Sequence, residues 1–355
     1  MTDNVLEEIL FQINVEDKII LKRDENINRN FKEYASELTD FIINNKATRK
    51  YKEQSLSTDV ISLITQITIE ITKPQSDKSK IEKYFSTIAQ KLLDKEIEAQ
   101  KRIDRMDGQI KKGNLFLSIL REKNNFLFII SKTNNTDFID DSDLKEKQGF
   151  PSKKYNSWKT TIFTYSLEKN NNILIKEIQV RLDNFNTKYW CNEFLEIIPM
   201  LSDEDNTSKA FTEIDKLLKN KIKKIAPLDY SCLRNSFMGK LRKKDTLIDY
   251  PNMVTEVVDN YQPIVLAQEK LESLKKNLYE LPESKEFDSQ FYSKPEKLDP
   301  KIKTQYPLSA GITLAVDDNS GYDKIIPEEI DGKRYIRIQV TDNESYNTLS
   351  ALKNL

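Results

Sequence analysis

From residue 113 to residue 182 the apolar residues adopt a two-residue period, which restricts the fold more than any other feature of the chain. Asn114 to Leu120 (NLFLSIL) and Phe126 to Ser131 (FLFIIS) flank Arg121-Glu122-Lys123-Asn124-Asn125, a polar connection of hairpin length. Trp158 to Leu167 and Ile173 to Leu182 flank Glu168-Lys169-Asn170-Asn171-Asn172 in the same way. Four adjacent strands joined by short polar turns predict an antiparallel sheet. Upstream the period is helical. Ile81, Phe85, Ile88 and Leu92 recur at spacings of four, three and four, so a helix over 77–103 is expected to back the sheet.

The remaining segments differ in clarity. In residues 1–75, Val60, Ile61, Leu63, Ile64, Ile67 and Ile71 suit a helical face, while Ile67, Ile69 and Ile71 also alternate as a strand does, until Pro74 breaks the pattern. A short helix is expected over Lys188 to Ile198, carrying Tyr189, Trp190, Phe194 and Leu195, with Pro199 after its last turn. The polar run 202–208 marks a boundary. Beyond it Ala210, Ile214, Leu217, Leu218 and Ile222 form a stripe ended by Pro227, and Leu233, Phe237 and Leu241 form another opened by Asp229. Helix continues over 252–280 with an interruption at Pro263. A Pro, Ser and Lys linker follows over 281–307, then strands at 311–316 and 334–340. The expected class is α+β. Its parts are 1–75, an antiparallel-sheet domain over 76–201, a helical region over 202–280, a linker, and a small β module over 308–355. A length of 355 residues fits one large or two ordinary domains.

Composition removes many reactions. The chain has no histidine, which excludes Ser-His-Asp and Cys-His nucleophile activation and HExxH zinc chemistry. Its two cysteines, Cys191 and Cys232, are 41 positions apart, so neither a CxxC redox pair nor a zinc knuckle is present. The start is acidic where a secretory signal is basic, and Val60 to Ile69 is about half of the roughly 20 residues a membrane span needs. A cytoplasmic location is expected. Gly108-Gln109-Ile110-Lys111-Lys112-Gly113 has P-loop glycine spacing, but Asn114-Leu115 stands where Lys and Ser or Thr are required. Asp137, Asp140, Asp141 and Asp143 crowd one predicted loop and offer oxygen ligands to Mg²⁺, although a solvated Asp-rich connection is the plainer reading. A Glu-x-Lys nuclease pair is missing: Arg337 and Gln339 occupy one candidate strand, and Lys176-Glu177 is in the wrong order. The expectation is a chain that is not an enzyme and carries no cofactor.

Charge is segregated. Between Lys216 and Lys244 stand ten basic residues and one acid, Asp229, a net +9 in 29 residues of a chain whose total is −1. The basic residues are Lys216, Lys219, Lys221, Lys223, Lys224, Arg234, Lys240, Arg242, Lys243 and Lys244. Such a window is the electrostatic footprint of a polyanion contact, against the plainer alternative of a soluble lysine-rich face. Lys216, Lys219 and Lys223 fall at i, i+3 and i+7, opposite Leu217, Leu218 and Ile222. Lysine lacks the bidentate fork that reads guanine, so the contact expected is with phosphates and is indifferent to sequence. Tyr189, Trp190 and Phe194 suit either base stacking or a core, and helical spacing favours the core.

Four stretches over roughly 80–340 resemble the bacterial nucleoid-associated proteins of the NdpA-like type. They are Phe85 to Leu93 (FSTIAQKLL); Gly113 to Leu120 with Phe126 to Lys132; Tyr189-Trp190 with Phe194-Leu195; and Ala310 to Val316 with Arg334 to Val340. The chain departs from the family pattern at Glu196, where members often carry glycine. The resemblance implies double-stranded DNA binding without a reaction, at the nucleoid. It also adjoins the DNA-binding subunit of the Kiwa anti-phage defence system, which implies a protein partner from a defence operon, and a homodimer is the expected assembly. A divalent-metal nuclease built on the loop aspartates is the remaining alternative.

Overall fold

The computed structural model describes residues 4–23, 31–55, 57–103, 110, 113–134, 136–139, 146–149, 158–182, 189–298, 304–309, 312–316 and 324–352. Its first half comprises β1 (Val5–Asn14), β2 (Ile19–Lys22), α1 (Phe31–Asn44), β3 (Arg49–Glu53), α2 (Asp59–Thr72), α3 (Lys78–Ile103), β4 (Gly113–Glu122) and β5 (Asn125–Asn134). There follow β6 (Thr136–Ile139), β7 (Glu146–Gly149), β8 (Trp158–Leu167), β9 (Ile173–Arg181) and β10 (Ile197–Pro199). The helical part holds α4 (Asp203–Lys221), α5 (Pro227–Leu241), β11 (Leu247–Asp249), α6 (Tyr250–Asp259), α7 (Gln268–Tyr279), α8 (Leu281–Ser284) and β12 (Gln290–Tyr292). Last come β13 (Thr304–Ser309), β14 (Ile312–Val316), β15 (Ile325–Ile330), β16 (Lys333–Ile338) and α9 (Asn343–Leu352).

An eight-stranded antiparallel sheet in the order β10-β3-β9-β8-β5-β4-β1-β2 organises the first unit. The expected hairpins are its centre: β4 pairs with β5 from Gly113–Asn134 to Glu122–Asn125, and β8 pairs with β9. Strand β4 is buried from Gly113 to Leu120, and alternation explains how. Leu115, Leu117 and Ile119 join a core with α2 and α3, through Ile64, Phe85, Ile88 and Leu92. Phe116 and Leu120 join a second core with Ala35, Leu38 and Ile42 of α1. Each such side chain contributes about 1.5–3 kcal/mol when fully buried. Gly113 is needed where the strands close, because a Cβ there would lie 2.3 Å from the Thr133 carbonyl oxygen.

Residues 1–75 belong to this same sheet: β1 pairs with β4, and β3 with β9. The ambiguous run at 60–71 is a helix, capped by the Thr58 hydroxyl, which accepts from the Ile61 amide at 3.4 Å. The helix expected over 188–198 is a single wide turn, Tyr189–Phe194. Glu196 then takes a positive φ of 56°, and Ile197 enters the sheet beside β3. Tyr189, Trp190 and Phe194 are buried, and the Trp190 indole donates to Thr161 Oγ1 at 3.0 Å, so this group is core and no stacking platform. The expected linker over 281–307 contains α8 and β12, and β12 pairs with β11. Gln290 clasps Leu182, accepting from its amide at 2.7 Å and donating to its carbonyl at 2.6 Å.

Contacts divide the chain into two units, Met1–Asn206 with Leu247–Asn252 and Pro282–Tyr292, and Thr207–Thr246 with Met253–Leu281 and Ser293–Leu355. The C-terminal strands form two hairpins, β13–β14 and β15–β16. The second turns at Asp331-Gly332, both at positive φ (52° and 74°), the conformation that Asp-Gly hairpins favour. No helix among the described residues is long and apolar enough to cross a membrane.

Candidate nucleic-acid interface

The basic window maps onto α4, α5 and their connection. Ser202 opens α4: its hydroxyl accepts from the Asp205 amide at 3.0 Å, and Asp203, Glu204 and Asp205 occupy the first turn. Lys219 and Lys221 occupy the last turn, where cations favour the helix dipole. Ala210, Ile214, Leu218 and Ile222 are buried at four-residue spacing, as the apolar stripe requires. Pro227 starts α5, a position where its missing N–H costs nothing, and Leu233, Phe237 and Leu241 are buried along it. At 1.5 Å per residue, the ends of this 15-residue helix lie about 22 Å apart.

The ten cations do not form one surface. Arg234 is buried, with Nε donating to Asp215 Oδ1 at 2.9 Å and its guanidinium 5.1 Å from the Phe211 ring centre. It fastens α4 to α5 and is removed from the contact set, because a guanidinium held inside the fold cannot reach a phosphate. Lys216 is bridged to Glu213 at 2.6 Å, Lys244 to Glu296 at 2.7 Å, and Lys240 to Glu256. Glu296 raises the Lys244 pKa through that hydrogen bond, and the lysine in turn lowers that of Glu296. Arg242 is half-buried, and Lys243 is exposed beyond the end of α5. Lys219, Lys221, Lys223 and Lys224 are all exposed at the α4–α5 corner and hold no carboxylate among the described residues. Lys223 lies past the end of α4, off the expected helical stripe, with Nζ 5.2 Å from the Tyr230 ring centre.

Asp229 governs the same corner. It is the single acid of the basic window and is fully buried, accepting from the Tyr261 hydroxyl at 2.7 Å and from the Ile264, Val265 and Leu266 amides at 2.7, 3.0 and 3.2 Å. Burial pushes its carboxyl up, but these four bonds outweigh it and hold the pKa below the ordinary carboxylate value. The Tyr261 hydroxyl moves the other way, raised by burial and then by the Asp229 bond. The Pro263 interruption is thus a loop clamped to the start of α5. An isolated acid between apolar stripes was the visible signal, but its partners 32–37 positions later were not.

Of the loop aspartates, Asp137 lies in β6, while Asp140, Asp141 and Asp143 lie outside the described residues, as does Gly108 of the glycine-spaced turn. Among the described residues no group of three or more Cys, Asp or Glu is placed to hold a metal ion. Comparison with known protein families finds no family that matches the chain, and no curated protein matches it significantly.

Proposed function

We propose that this protein binds double-stranded DNA through its phosphates, without sequence readout and without chemistry on the nucleic acid. The observation that carries the reading is the α4–α5 corner: Lys219, Lys221, Lys223 and Lys224 are each exposed within six consecutive residues, without a carboxylate partner among the described residues. Ammonium groups so placed release condensed counterions from a duplex, and as point charges they do not discriminate bases. Lys243, and the bridged Lys216, Lys240 and Lys244, form a secondary set. Exposed ion pairs of this kind are worth about 0–1 kcal/mol, so phosphate can displace their carboxylates. The resemblance to nucleoid-associated proteins points the same way.

Fluorescence anisotropy with duplex and single-stranded DNA at three salt concentrations tests the proposal. Each neutralised phosphate adds about −0.9 to the slope of log K against log salt. Reversing Lys219, Lys221, Lys223 and Lys224 to Glu is expected to flatten that slope by about three to four; an unchanged slope overturns the assignment.

The second reading, a protein-binding component of an anti-phage defence system, is favoured by the C-terminal module. Ile336 and Ile338 are 40% and 42% exposed on one face of β16, and Tyr346 and Leu349 are 61% and 63% exposed on α9, apolar side chains of the sort that a partner protein covers. Co-purification of a partner that persists in high salt would support it, because apolar burial is not screened.

A further inference from the structure

Ile225 and Leu228 are 49% and 59% exposed on the same corner as Lys219, Lys221, Lys223 and Lys224. Single exposed aliphatics are ordinary, but these are not single. Asp229, next to Leu228, holds the amides of Ile264 and Val265, whose side chains are 58% and 65% exposed. Four exposed aliphatic side chains therefore lie in two segments, the connection into the first turn of α5 and the 264–265 loop, joined at one buried carboxylate. The two segments are poor in acid: Lys216 to Leu228 contains none, and Asn260 to Gln268 contains no charge of either sign.

Resting on the duplex-binding reading above, we infer that this corner is a wedge that bends DNA. Lys219, Lys221, Lys223 and Lys224 hold phosphates while Ile225 and Leu228 enter between base steps from the minor groove. Two observations select a duplex over a single strand. A single-strand platform needs free aromatic faces, and neither ring at this corner offers one: Tyr230 is buried beneath Lys223, and Tyr261 is half-buried with its hydroxyl held by the buried Asp229. Aliphatic side chains, by contrast, are the residues that unstack a duplex step and kink it. The corner is also rigid enough to act as a wedge. Pro227 fixes the chain between the two aliphatics, and Asp229 locks the turn of α5 that carries Leu228. Little ordering is then required on binding. A wedge works best where unstacking is easy, so the protein should favour flexible or interrupted duplexes over stiff ones.

The test uses the full chain and a 30-base-pair duplex labelled at its ends, either intact or with a central two-nucleotide bulge. Anisotropy reports binding and end-to-end energy transfer reports bending. The wedge predicts that energy transfer rises on binding and that the bulged duplex binds about fivefold tighter than the intact one. In I225S/L228S, checked for folding by circular dichroism, both the rise and the preference for the bulge should disappear; I225A/L228A should reduce them. Binding that leaves energy transfer unchanged, or an I225S/L228S variant that still bends, overturns the wedge while the duplex reading stands. Failure to bind either duplex overturns both. Should I225S/L228S instead abolish flotation with phosphatidylserine vesicles that the parent protein binds, the corner is a lipid-docking surface and the wedge is wrong.

Discussion

Arg234 Nε donates to Asp215 Oδ1 at 2.9 Å, and the Tyr230 hydroxyl donates to the same oxygen at 2.7 Å. One carboxylate of α4 thus holds two side chains of α5, and a cation counted in the basic run is a structural rivet. Arg234→Ala is expected to lower stability by about 1–3 kcal/mol, because Asp215 loses a charged partner in a partly buried setting. The salt slope of DNA binding should not change. Urea melts together with anisotropy titrations check both halves, and a fall in slope equal to one phosphate would return Arg234 to the contact surface.

Lys216 makes the opposite prediction. Its bridge to Glu213 spans three residues of α4 and leaves the lysine side chain 62% exposed, an arrangement worth a few tenths of a kcal/mol. Glu213→Gln should leave the melting temperature almost unchanged while freeing an ammonium beside the corner. The DNA reading requires duplex affinity to rise and the salt slope to steepen by up to about 0.9. An affinity that does not respond places Lys216 away from the phosphates.

The sheet was legible where pairing is local and hidden where it is not. Strands β4, β5, β8 and β9 lie in two hairpins, and their alternating residues announce both partners. Strand β1 joins the rest of the sheet through β4, and β3 through β9, each about 100 or more positions later, so the pattern of residues 1–75 could not place them; the short β1–β2 hairpin is local, but β2 has only four residues and they do not alternate. The isoleucines of α2 imitate a strand because the helix is buried against the sheet and so carries β-branched residues its exposed faces would not need. Charge counting found the basic run, but a count carries no direction. Glu213, Glu256 and Glu296 neutralise part of it across one helical turn, 16 positions and 52 positions. What the count did locate is the corner, where four lysines follow one another with no acid between.

Lys132 and Glu96 are 4% and 0% exposed and form an ion pair between β5 and α3, with the Tyr189 hydroxyl donating to the same Glu96 oxygen at 3.3 Å. Glu96 Oε2 has no hydrogen-bond partner among the described residues, so the site is already incompletely satisfied. Lys132→Ala removes the paired counter-charge and is expected to cost about 3–5 kcal/mol. E96Q/K132M removes both charges and keeps an acceptor for Tyr189, so it should recover most of that loss. Denaturant titration of the two variants checks the ordering; equal losses would show that lost packing at Lys132, and not an unpaired charge, dominates.

Asp229 gives a pH signature that isolates the clamp behind the candidate wedge. Its carboxyl is held below the ordinary value in the folded protein, so the folded state favours the ionised form more than the unfolded chain does. The stabilisation is therefore complete above the unfolded-state value of about 3.9 and is lost as pH falls through that value toward the lower folded one. Glu70, Asp245, Glu296 and Asp342 also titrate low, so acid unfolding of the parent protein alone does not identify Asp229. The difference from Asp229→Asn does. The carboxamide presents one acceptor and a donor to four donors, a loss of about 1–3 kcal/mol at neutral pH. The gap between the two proteins should stay constant above about pH 5, then narrow as pH is lowered from about 5 to about 3 and approach the part due to shape alone. Hydrogen exchange of the Ile264, Val265 and Leu266 amides should accelerate in the variant over the same upper range, because those amides lose the carboxylate that fixes the loop. A gap that stays constant with pH would mean that Asp229 acts by its shape and not by its charge.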